Sequence, residues 1–178
     1  MKSSNNLKIF ISIIILFFFG SFGYYFNLSL DSSYKDFLRV NSNSKEFNNL
    51  ENNSFSVFLN IWTNNLIVNF YIIAGSLTIS IYSSLLFLYN SFVFGQTIQN
   101  SVSLGLNPLF VLSNGLEIFA FCLAYLLSLN IAALILNHIK GEHSHLKIAF
   151  VFKMILLILS LTTISAILET IIIYSYAY

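Results

Sequence analysis

The chain has 178 residues, 57% of them hydrophobic and only 8% charged, with a formal net charge of +1. Soluble domains are about a quarter charged, so this surface cannot be presented to water. The few scattered Lys and Arg exclude a nucleic-acid partner, which needs clustered basic residues. Cys122 is the single cysteine. It allows no intrachain disulfide and carries no information about redox compartment.

Taken in chain order, residues 7–26 supply the roughly 20 apolar residues that a crossing helix needs, preceded by Lys2 and Lys8. The stretch reads as an anchor, with a signal peptide cleaved near Ser21-Phe22-Gly23 as the alternative. Residues 27–65 read as an external polar loop. Asp31, Asp36, Glu46 and Glu51 are balanced there by Lys35, Arg39 and Lys45. At its end Phe55, Phe58, Leu59 and Trp62 recur at helical spacing, which predicts an interfacial amphipathic helix with Trp62 at headgroup level.

Residues 66–89 are the second predicted span. Asn69, Ser76, Ser80 and Ser83 would share one face and pack on another helix. Residues 91–107 are short for a crossing and carry Gln96, Gln99 and Asn100, so they form either a weak span or a re-entrant helix. Residues 108–137 and 147–176 are two long apolar spans. Their connection holds Lys140, Glu142, His138, His143 and His145, an imidazole group with no defined ligand geometry, and no metal site is assigned to it.

The expected fold is therefore an all-α integral membrane helix bundle, a single domain of about five transmembrane helices. Lys2 and Lys8 place the N-terminus in the cytoplasm, and Lys140, Lys147 and Lys153 place the last loop on the same side. Both conditions hold if 91–107 crosses, which makes this a multi-pass protein of the cell membrane.

Two carboxylates lie within apolar helix sequence, Glu117 and Glu169. An ionisable residue at membrane depth is a functional-site candidate. Each is 21 residues from the nearer end of the connecting loop, so an antiparallel hairpin would set them at one depth. One reading is a proton or cation site. The other is capping, because Asn114-Gly115-Leu116-Glu117 has capping-box spacing, with Asn114 as N-cap. Ala120, Ala124, Ser128 and Ala132 follow Glu117 at every fourth residue, and Thr162, Ser165 and Ala166 lead into Glu169. Both runs predict close packing between the two helices. The sequence carries no P-loop, no dinucleotide-binding glycine turn, no HExxH and no Ser/His/Asp set. No catalytic residue and no cofactor is assigned, and an enzyme is not the expectation.

Several short motifs occur in a consistent order. An Asn-bearing entry to an early span is Phe58-Leu59-Asn60-Ile61-Trp62-Thr63-Asn64-Asn65-Leu66, followed by the mid-span Gly75. An Asn-x-x-x-x-Gly step follows at Asn90-Ser91-Phe92-Val93-Phe94-Gly95, then Ser113-Asn114-Gly115-Leu116-Glu117, and finally Ala166-Ile167-Leu168-Glu169. From about Phe55 to the end, the chain resembles the stage II sporulation protein M family. The family's helix-opening Pro-His-Gly-x-x-Glu turn has Ser113 and Asn114 here in place of Pro and His, and Glu117 follows Gly115 by two residues instead of three, so any role of that His is absent from this chain.

The resemblance implies a non-enzymatic membrane component that works with partners. These would be membrane lipid and other membrane proteins, with cell-wall enzymes in the sporulation setting or an exporter in a bacteriocin production and self-immunity setting. Its motifs include Asn64, Asn90, Gly95, Asn114, Gly115, Glu117 and Glu169, and with Gln96 of the weak span these are the candidate intramembrane polar or functional positions. A transporter-like or channel-like component, with a polar path through Glu117 and Glu169, is the alternative.

Overall fold

A computed structural model describes residues 2–25, 54–103, 108–142 and 147–177. They form five helices: α1 (Lys2–Tyr25), α2 (Ser54–Ala74), α3 (Ile81–Ser103), α4 (Pro108–Ile139) and α5 (Ile148–Ala177). A single 3-10 turn, Gly75–Thr78, joins α2 to α3. Three segments are long and apolar enough to cross a membrane: Ser54–Thr78, Pro108–Ile139 and Ile148–Ser175. Ile11–Tyr25 of α1 is a shorter apolar stretch. With 23 residues, α3 extends about 35 Å, enough to cross, although it is less apolar.

The helix boundaries differ from the sequence expectation in one important respect. Residues 66–89 are not one span, because the chain reverses between Gly75 and Ser80 and returns as α3. The helical stretch preceding the turn begins at Ser54, so the part of the expected polar loop from 54 to 65 belongs to a crossing helix and not to an interfacial one. Residues 26–53 lie outside the described residues.

Within a bundle, a chain reversal is stable only if its freed backbone groups find partners. Here Ile79 N donates to Ser76 O and Ser80 N to Gly75 O, at 3.0 and 3.1 Å. The Thr78 hydroxyl donates to Gly75 O and accepts from Tyr82 N, which caps the start of α3. Ser83 Oγ donates to Ile72 O at 2.6 Å, across the turn. Ile79 and Ser80 both have left-handed backbone conformations, with φ of 54° and 62°. For residues bearing a Cβ this costs about 1–2 kcal/mol each, which the hydrogen bonds of the turn offset. Gly75 is required by space: a Cβ there would meet the backbone N of Ser83 at 2.7 Å.

The core is built around α4, which touches all four other helices and is more than half buried. Its apolar residues run all round the helix, as expected for an element enclosed by others. Phe87 of α3 stacks on Tyr125 of α4 with ring centroids 4.8 Å apart, and the Tyr125 hydroxyl pairs with Ser84 at 3.0 Å. Ala120, Ala124, Ser128 and Ala132 are all buried, and so are Thr162, Ser165 and Ala166. Both predicted small-residue ridges therefore face the bundle. Asn69, Ser76, Ser80 and Ser83 are buried too, although the turn divides them between two helices. Ser80 and Ser83 converge on Ser128 of α4, at 2.9 and 2.6 Å.

The α1 helix docks mainly on α3 through glycine. A Cβ on Gly95 would fall on the Gly20 carbonyl and lie 2.9 Å from Tyr24 N; one on Gly23 would fall on the Phe92 carbonyl. Two backbones approach this closely only where side chains are missing. Gly95 thus has an architectural place that the motif spacing alone did not explain. Ser21-Phe22-Gly23, the possible cleavage sequence, lies within this helical crossing.

Candidate functional site: a polar cluster inside the bundle

α4 begins at Pro108, whose fixed φ and missing N–H suit the first helical turn. Asn114 therefore lies well inside the helix and is not its N-cap. Its amide donates to Phe110 O, one turn back, at 2.8 Å. The capping reading of Asn114 and Glu117 is corrected accordingly: Glu117 is a carboxylate partway along a crossing helix.

The register of α4 against α5 is set by a close contact between two fully buried serines. Ser165 Oγ donates to Ser113 O at 2.9 Å, and Ser113 Oγ donates to Ser165 O at 3.4 Å. Glu117 and Glu169 each follow one of these serines by four residues and share its helix face. Because the helices are antiparallel, the two glutamate backbones lie on opposite sides of the serine contact, about one turn away in each direction. Helical side chains lean toward the N-terminus of their own helix, so both carboxylates lean back toward the contact and toward each other. They are within electrostatic reach of one another. The expected equal depth is thus replaced by a staggered pair bracketing the serines. Both residues are only partly exposed.

Asparagines from α2 reach the same region. Asn65 and Asn69 are 4% and 2% exposed. The Asn65 side-chain amide interacts with Glu117. Asn69 Nδ2 donates to Asn65 O at 3.0 Å and to Thr162 Oγ1 of α5 at 3.1 Å. Its Oδ1 has no hydrogen-bond partner, nor does Asn65 Nδ2. One turn earlier on α2, Trp62 Nε1 donates to Thr163 Oγ1 at 3.0 Å, so the indole N–H is engaged by α5.

A small cavity of about 50 Å³ lies between α3 and α4, and Glu117, Asn90, Asn114 and Thr97 line it together with apolar side chains. Of the sequence candidates, Glu117, Asn90 and Asn114 thus come together, and Glu169 approaches from α5. The others lie elsewhere: Gly95 at the α1 crossing, Asn64 exposed on α2, and Gly115 with nothing within 4 Å of where its Cβ would be. Gln96 and Gln99 do not line the cavity, and Gln99 Oε1 is buried without a partner. His143 and His145 lie outside the described residues, and His138 is exposed at the end of α4.

Sequence reasoning passed over Asn65 and Thr97. Asn65 was visible as the neighbour of Asn64, and helical phase relative to Asn69, four residues on, identifies it as the inward-facing one. Nothing in the local sequence marks Thr97.

No curated protein and no solved structure matches the chain. The sequence model of the stage II sporulation protein M family matches residues 10–172, nearly the whole length and every described helix. The chain belongs to the stage II sporulation protein M family.

Proposed function

We propose that this protein is a non-enzymatic subunit of a membrane complex, which recruits partners through its lipid-facing helix surfaces and through the polar segment around residues 27–53. The observation that carries this reading is family membership over residues 10–172. The partners are membrane lipid and other membrane proteins. In a sporulation setting they include cell-wall-remodelling enzymes, and in a bacteriocin setting an exporter and the machinery of self-immunity. Neighbouring genes for a cell-wall hydrolase favour the first setting; a small hydrophobic peptide and a transporter ATPase favour the second.

The proposed topology has five crossings, with the N-terminus and the Lys140–Lys147 connection in the cytoplasm and residues 27–53 outside. The Gly75–Ser80 reversal then lies on the cytoplasmic side. Single cysteines at Ser32 and Ser144 in a Cys122→Ser background should label from outside and from inside, respectively, with a membrane-impermeant thiol reagent. Labelling of both from one side refutes the topology.

Glu117→Gln and Glu169→Gln variants test the functional reading. A complex subunit should assemble with its partner, measured by crosslinking in cells, in proportion to its folded amount. If both variants assemble normally while ion flux or peptide resistance is lost, the subunit reading fails. The second reading, a transporter-like component, is supported by the cavity beside Glu117, which a carboxylate and two asparagines line together.

A further inference from the structure

The polar side chains that line the α3–α4 cavity include one carboxylate and two carboxamides. Asn90 donates its amide N–H to Leu86 O at 2.7 Å, and Asn114 donates its own to Phe110 O at 2.8 Å. Reversing either amide would place two carbonyl oxygens against each other, so these bonds fix the orientation. Each leaves Oδ1, together with the second N–H, for other partners. Thr97, at the same wall, gives its hydroxyl hydrogen to Val93 O at 3.0 Å. The carboxylate of Glu117 completes the set.

A carboxylate in such a lining favours an occupant that is positive. Among residues whose side chains are described, the basic groups Lys140 and Lys147 sit at the connection between α4 and α5, and Lys153 lies in the first two turns of α5. Lys140 is 23 residues along α4 from Glu117, about 35 Å away. Among the described residues, the charged group that acts on Glu117 is a second carboxylate, Glu169. A largely enclosed carboxylate with no counter-charge among the described residues is unfavourable in such a setting. Asn65, almost fully buried, approaches the same carboxylate.

We propose that this cavity is a binding site for a small monovalent cation of the sodium class, coordinated by Glu117, Asn90 and Asn114. Hard cations take oxygen ligands of these kinds. One carboxylate balances one positive charge, whereas a divalent ion would bring a surplus into the bundle. The volume of about 50 Å³ holds an ion with one or two waters. The site deepens the transporter-like reading without requiring transport: equilibrium binding tests the site, and flux tests the path.

The test uses the full chain purified in detergent, with thermal unfolding followed as NaCl replaces choline chloride at constant ionic strength. Sodium should raise Tm with a saturable midpoint. Glu117→Gln should abolish the rise, and Asn114→Ala should move the midpoint up about tenfold. Asn130→Ala is the matched control, since Asn130 makes the same bond to a carbonyl one turn back, at Leu126, away from the cavity. It should leave the midpoint unchanged. If Glu117→Gln fails to fold, Asn114→Ala against Asn130→Ala decides. No sodium dependence, an equal rise in choline, a rise that follows pH or calcium instead of sodium, or the same midpoint in Asn114→Ala as in the parent overturns the proposal.

Discussion

Ser113 and Ser165 exchange side-chain-to-carbonyl hydrogen bonds across the α4–α5 contact, so each serine closes against the backbone of the opposite helix. This fixes where the two glutamates stand, because each follows its serine by one turn. Interhelical hydrogen bonds in membranes are worth about 0.6 kcal/mol and at most about 1.7 kcal/mol. Ser165→Ala, which keeps the close approach, should therefore cost about 1 kcal/mol. Ser165→Leu must separate the helices and should cost about 3 kcal/mol or more, as overpacking does. Thermal unfolding in detergent checks both. Equal losses in the two variants would mean that the contact is not a close approach.

The glycines divide sharply by environment. Gly95 and Gly23 lie against the backbone of the opposing helix, while Gly115 has open space. Gly95→Ala should displace α1 from α3 and destabilise the protein by about 1–3 kcal/mol. Gly115→Ala should be neutral or stabilise by up to about 1 kcal/mol, since alanine is the better helix former. A disulfide-crosslinking pair across α1 and α3 in a Cys122→Ser background gives a second readout. Its yield should fall in Gly95→Ala and persist in Gly115→Ala.

The turn between α2 and α3 holds an isoleucine in a left-handed conformation. Glycine adopts that conformation without the Cβ penalty, and the Ile79 side chain is half exposed. Ile79→Gly should therefore leave stability unchanged or raise it by about 1 kcal/mol. Ile81→Gly, at the start of α3, should lower stability by about 1 kcal/mol through helix propensity alone. Parallel unfolding curves for the two variants are sufficient, and a comparable loss in both removes the left-handed assignment.

The same turn shows where the sequence was silent. Gly75-Ser76-Leu77-Thr78-Ile79-Ser80 contains no Pro, Asn or Asp, and the residues around it stay apolar, so hydropathy runs through the reversal without a break. A β-branched residue at positive φ is too uncommon to expect from sequence. What closes the turn is tertiary: Ser83 and Ser128 arrive from elsewhere in the chain to satisfy it. The long helices were legible because apolar length is a direct signal, and the alanine and serine ridges were legible because their four-residue period is local. Glu117 was recognised as unusual from its apolar surroundings. Its environment was obscured by a coincidence of spacing, since Asn-x-x-Glu matches a capping box while Pro108 starts the helix six residues earlier. The cavity partners Asn90 and Thr97 come from another helix, and only the fold brings them to Glu117.

Asn64 and Asn65 are adjacent in sequence, and about 100° of helical rotation separates solvent or lipid from the polar cluster. Asn64 is exposed, whereas Asn65 is buried beside Glu117 with Asn69 one turn on. Asn64→Ala should change stability by no more than about 0.5 kcal/mol, as exposed substitutions do. Asn65→Ala takes a polar partner away from a buried carboxylate and should cost about 1–3 kcal/mol. The loss should depend on that carboxylate. In a double-mutant cycle with Glu117→Gln, the coupling between Asn65 and Glu117 should be at least about 0.5 kcal/mol, while Asn64 and Glu117 should be additive. If Asn65 and Glu117 prove additive as well, the cluster is not a single interacting unit, and Glu117 is then held by its own helix alone.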